Sequence, residues 1–172
     1  PSLEPLWKLV AELSIPIHWY LATLKQNPLE TYFYELGELV KWAKNHPGIP
    51  CILTHGLNNI SMDRTGPNRF TPPEDILTLL KLTDWHIELM LHIMNSDEEF
   101  PPYNPKLSEL IRSLVDEVGI EKLMWGSDMP ACERTLMYNH SLTLFQSKCD
   151  FMSEEHQSAI LGDNLERLYP NT

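Results

Sequence analysis

Four polar residues, His18, His55, His92 and Asp128, stand at or just past the ends of short apolar runs, and they are separated by 37, 37 and 36 residues. The runs are Ile15 to His18, Ile49 to His55, His86 to His92 and Lys122 to Asp128. A helical pattern fills each gap. A strand followed by a helix, repeated at this interval, is a β/α unit, and alternating units imply a parallel sheet. A ligand-type side chain at the C-terminal end of each strand puts the chemistry on one rim, the rim on which β/α barrels carry their active sites.

Residues 3–13 read as an amphipathic helix, interrupted by Ser14 and Pro16 before a short strand over Ile15–Trp19. Pro28 opens a second helix, about Leu29 to Asn45, whose apolar positions Tyr32, Phe33, Leu36, Leu39, Val40 and Ala43 follow the 3.6-residue period. Pro50–Thr54 is the second strand. A polar loop from Gly56 to Pro72 leads to a helix over about Glu74 to Lys81. Trp85–Leu91 is the third strand, with Ile87, Leu89 and Leu91 alternating with Glu88, Met90 and His92, so one face meets a helix layer and the other a more polar space such as a barrel interior. Pro105 starts a helix to about Val118, and Gly119 ends it. Glu121–Trp125 is the fourth strand, followed by helices near Cys132–Ser147, Ser153–Leu161 and Asp163–Tyr169. This order suits one α/β domain over residues 1–172, built as a doubly wound sheet or as half of an eightfold barrel. A complete barrel typically takes about 250 residues. The chain opens at Pro1 inside a helical pattern, which reads as the C-terminal part of something longer.

A formal charge of −11 argues against a nucleic-acid surface, which needs a basic patch, and against an anionic membrane. It leaves room for a small anionic substrate, because a local metal ion or arginine reverses the field. No apolar stretch approaches the roughly 18 residues of a spanning helix. Cys51, Cys132 and Cys149 are odd in number and form no C-x-x-C pair, which reads as reduced thiols in a cytoplasmic protein.

The chemistry-bearing residues each carry two readings. In Gly126-Ser127-Asp128 the glycine allows a tight turn or a close approach, and the carboxylate can bind a metal or hold a proton from water. The same aspartate can equally form a turn or cap a helix. His18 and His55 are transition-metal ligands or core histidines bonded to backbone carbonyls. His92 shares their spacing and is a candidate for metal or substrate contact. Arg64 and Arg69 can clamp a substrate carboxylate through paired hydrogen bonds, or lie in water on the loop. His46, His86, His140 and His156 read as mostly solvated, and Trp19 and Trp125 as packing.

Three stretches together resemble the amidohydrolase-related family of metal-dependent TIM-barrel enzymes. Pro5-Leu-Trp-Lys with Ile15-Pro-Ile-His18 is similar to the fifth strand of that family, and Pro50 to Gly56 to the sixth. Val118 to Pro130, with its Gly-Ser-Asp-Met-Pro, is similar to the eighth, and Ile160 to Tyr169 to the closing helix. The likeness covers the C-terminal half of the family. It implies His18 as the strand-five metal ligand and His55 as the histidine that orients or deprotonates water. It implies Asp128 as the strand-eight carboxylate, bound to metal or shuttling a proton. No His-x-His of the family's first strand occurs here.

The resemblance implies a hydrolase that uses a divalent metal, zinc foremost, to activate water against a small carboxylate, lactone or amide substrate. A decarboxylase of the same family is the alternative. A non-catalytic half-barrel that works only in an assembly is another, since free sheet edges associate and a homodimer would cover them. A third arrangement, with His18, His55, His92 and Asp128 around one ion, requires four neighbouring strand ends spanning about 14 Å to reach inward.

Overall fold

In this computed structural model the described residues are 2–21, 28–55, 57, 72–82, 84–91, 107–134 and 137–169. His92, Arg64 and the loop 58–71 lie outside them. The elements run α1 (Glu4–Glu12), β1 (Ile17–Tyr20), α2 (Pro28–Asn45), β2 (Cys51–Thr54), α3 (Glu74–Leu80), β3 (Trp85–Leu89), α4 (Leu107–Val118), β4 (Leu123–Trp125) and α5 (Tyr138–Lys148). The tail adds α6 (Glu154–Ser158), a π turn (Ala159–Asp163) and α7 (Asn164–Leu168).

The four strands form one parallel sheet in the order β1-β2-β3-β4. The register aligns Trp19 with Leu53, Leu53 with Ile87 and Ile87 with Leu123, so these residues share one face. Leu53, Ile87 and Leu123 are fully buried there under the helices. Successive strand residues point to opposite faces. The other face therefore carries two rows, His18, Ile52 and His86 below, and Tyr20, Thr54, Glu88 and Met124 above. In β3 the alternation is plain: Trp85, Ile87 and Leu89 are buried, while His86 and Glu88 are half-buried.

The helices cover the apolar face through periodic stripes. In α4, Leu107, Leu110, Ile111 and Leu114 are buried at the i, i+3, i+4, i+7 spacing. In α2, Tyr32, Leu36, Leu39, Val40 and Ala43 are buried as the period predicts. Phe33 is exposed, turned one position off the stripe with its ring edge against Tyr32 at 5.4 Å. Trp42 of α2 holds Trp19 at 4.8 Å, Trp7 of α1 at 5.2 Å and Trp85 at 6.4 Å, so the tryptophans pack the joint between α1, α2 and the sheet.

Several boundaries differ from the sequence reading. The fourth strand starts at Leu123, because Gly119 at φ 87° and residues Ile120–Lys122 make a 3₁₀ turn. That turn lets the Lys122 ammonium reach the Leu82 carbonyl at 2.9 Å. The first strand runs one residue further, to Tyr20. The segment after Asp128 has a 3₁₀ turn, Ala131–Arg134, separate from α5. The two tail helices are one continuous run through the π turn. His46 and His86 are not solvated: His46 stacks on Trp42 at 4.7 Å, and burial lowers the His86 pKa, with Lys122 adding to the effect.

The three cysteines are buried and none forms a disulfide. Burial pushes the Cys51 and Cys149 thiols up to about 12. No helix among the described residues is long and apolar enough to cross a membrane.

The tail is fastened by Asn164, which is 2% exposed. Its amide donates to the Ile120 carbonyl at 2.9 Å and to the Leu123 carbonyl at 2.8 Å, and its oxygen accepts from Arg167 at 3.1 Å. Asn164→Leu keeps the approximate volume and strips three hydrogen bonds. It should lower stability by about 1–3 kcal/mol in urea unfolding, because buried carbonyls lose their donor. An unchanged midpoint would show that water replaces the amide.

Candidate active site at the C-terminal rim

Thr54 ends β2, and its hydroxyl donates to the Trp19 carbonyl of β1 at 3.0 Å. His55 follows at once with φ 56°. On the other side, β4 ends at Trp125, and Gly126-Ser127 leads to Asp128 with φ 52°. Residues other than glycine rarely take this left-handed backbone, although His, Asn and Asp do so more than most. It costs of order 1–3 kcal/mol and persists only where the surroundings enforce it, which is why such residues gather at working sites. Among the described residues three non-glycines have positive φ, and two of them are His55 and Asp128.

Both turns bring their side chains to one place. His55 Nε2 and Asp128 Oδ1 lie 3.4 Å apart, with the two side chains 25% and 20% exposed. The Asp128 carbonyl accepts from the Cys132 N–H at 2.9 Å, which fixes the backbone behind the carboxylate. Gly126 serves close approach rather than a positive φ: a Cβ there would meet Met90 at 3.2 Å and Glu88 at 3.4 Å. Its N–H donates to the Leu89 carbonyl, so the end of β4 is drawn against β3.

Two further residues join the pair, and the sequence reading gave them no role. Tyr20 meets the His55 ring edge-on, 4.9 Å between centroids. Ending the first strand at Trp19 hid it. Glu88 rises from β3 in the row directly beneath the rim. Burial, and then the negative charge of Asp128, raise its carboxyl pKa above the ordinary value. Its signal was a lone acid alternating with apolar residues in a strand, which was read only as a sign of a polar interior.

The structure thus brings together two of the three residues expected to converge. His18 stands one row lower, opposite Ile52, and its Nε2 lies 2.9 Å from the Tyr169 hydroxyl. The other two candidates, His92 and Arg64, fall outside the described residues. Among the described residues no three His, Cys, Asp or Glu side chains come together as a metal-holding group. Catalytic zinc usually takes three protein ligands and a water. The described residues therefore do not by themselves fit a metal centre.

A parallel β/α sheet with its candidate side chains on the C-terminal rim is the arrangement of β/α-barrel enzymes. The sequence profile described as Amidohydrolase matches residues 1–170, and the chain belongs to that family. No curated protein matches the sequence. Among solved structures, an amidohydrolase from Burkholderia multivorans with bound zinc superposes with a TM-score of 0.72 at 17% identity, over 96% of this chain and 57% of that one. A probable 2-pyrone-4,6-dicarboxylic acid hydrolase from Acinetobacter baumannii with citric acid bound gives 0.69 at 16% identity, over 99% and 60%. A 2,6-dihydroxybenzoate decarboxylase complexed with 2,6-dihydroxybenzoate gives 0.62 at 16%, over 98% and 55%. The chain thus spans somewhat more than half the length of each of these relatives. The architecture is that of a partial TIM barrel.

Glu88 supplies a pH test. Its folded pKa is raised, so the native state holds this proton more tightly than the unfolded chain does. Its contribution is fully present below the unfolded pKa and is lost as pH rises through the folded one. Glu88→Gln should therefore be more stable than the parent at pH 7, with the difference shrinking toward pH 4. Urea unfolding across that range checks it, and a difference that does not vary with pH would contradict it.

Proposed function

We propose that this chain carries the proton-handling side of a hydrolase site acting on a small lactone, amide or carboxylated substrate. The observation behind the reading is the 3.4 Å pairing of His55 Nε2 with Asp128 Oδ1 at the C-terminal rim of a parallel sheet. A water adding to a carbonyl must lose a proton, and a neutral imidazole is the usual acceptor near pH 7. His55 takes that proton, and the adjacent Asp128 carboxylate stabilises the imidazolium that results. When the tetrahedral adduct collapses, the imidazolium returns the proton to the leaving oxygen or nitrogen. Tyr20 holds one edge of the ring in place. A divalent ion, zinc in the Burkholderia multivorans relative, would need ligands beyond the described residues.

The test uses the whole protein that contains this chain, offered a panel of small lactones, amides and carboxylated aromatics, with products read by NMR. Hydrolysis gives a ring-opened or cleaved acid with the carbon count conserved; release of carbon dioxide would replace this reading with the decarboxylase. His55→Ala and Asp128→Asn should each lower kcat by roughly 10²- to 10⁴-fold, the range expected for a general acid–base group. Retention of full kcat by either variant would contradict the assigned role.

A further inference from the structure

His18 stands in the lower row of the inner face, opposite Ile52. Thr54, the last residue of β2, lies two residues beyond Ile52, about 7 Å further at a strand's rise per residue, and His55 turns off after it. His18 Nε2 lies 2.9 Å from the Tyr169 hydroxyl.

What it touches lies at the far end of the fold. Tyr169 closes the tail, its N–H bonded to the Leu165 and Glu166 carbonyls. Arg167, Leu168 and Tyr169 face Leu13 to Pro16 and Pro50 across a cavity of about 500 Å³. Pro16 and Pro50 immediately precede β1 and β2, so the tail crosses the N-terminal end of the sheet. The other end of the same segment is bonded to β4 through Asn164, whose amide serves the Ile120 and Leu123 carbonyls. One short segment therefore touches both outermost strands of the sheet.

We infer that residues 164–169 are a brace joining β4 to β1 across the floor of the sheet, and that His18 is its anchor on β1 rather than a ligand at the rim. Among the described residues, the brace adds a direct tie between β1 and β4 to the ladders of β2 and β3 and the helices packed on the sheet. With it, the distance between the two edges is set from below. The same constraint sets how closely the strand ends approach at the rim, where His55 on β2 must reach Asp128 beyond β4.

Tyr169→Phe removes one oxygen and leaves the ring's packing, so it tests the anchor without dismantling the tail. In histidine side-chain ¹⁵N NMR of the chain, Tyr169→Phe should shift the His18 ring resonances. In urea unfolding, Tyr169→Phe and His18→Ala should each raise the unfolding constant roughly two- to tenfold, the yield of one hydrogen bond. The double variant should be no worse than the more severe single one. Unmoved His18 resonances in Tyr169→Phe would overturn the anchor, as would effects that multiply. Added zinc that moves the His18 resonances in the parent chain, with the hydroxyl still in place, would restore His18 as a ligand and overturn the brace.

Discussion

The hydrogen-bond register between parallel strands is the constraint from which everything else follows. Because Thr54 sits opposite Tyr20 and Glu88 opposite Met124, the strand ends reach the same rim at matching heights. A slip of one residue in any ladder would turn the buried row Leu53, Ile87 and Leu123 toward the polar face. It would also carry His55 or Asp128 away from its partner. The apolar burial that fixes the fold is thus the same interaction that fixes the site.

Close approach refines what the register begins. Gly126 has no side chain where Met90 and Glu88 press against β4, and a Cβ there would push the Met90 side chain aside. Beyond it, the left-handed backbone at Asp128 turns the carboxylate toward β2, and the same conformation at His55 turns the imidazole to meet it. Two strained turns on nonadjacent strands converge on one 3.4 Å contact. Strain of this kind is held by the sheet beneath, which the tail segment ties together from the opposite end.

Periodicity made the fold legible. The 37- and 36-residue spacing implied repeated β/α units, and the stripe of α4 and the alternation in β3 follow directly from apolar positions. Boundaries were less visible where local chemistry competes. Glu121 and Lys122 belong to a 3₁₀ turn because Gly119 takes positive φ and Lys122 finds the Leu82 carbonyl. Spacing also revealed His55 and Asp128 as neighbours in space, since one directly follows β2 and the other stands three residues past the end of β4. It set His18 level with His55, whereas the β1–β2 register pairs His18 with Ile52. His18 falls one row below the rim and meets Tyr169, a contact between residues 151 apart that no local pattern announces. Glu88 and Tyr20 escaped because their meaning depends on neighbours across the strands.

His55 and Asp128 act as one unit in the proposed chemistry. A double-mutant cycle on kcat in the complete protein measures this directly, comparing His55→Ala, Asp128→Asn and the pair. Groups that act together lose their effect together, so the double variant should be about as slow as the slower single one. Losses that multiply would mean that the two residues act independently, and the account of the site would fail.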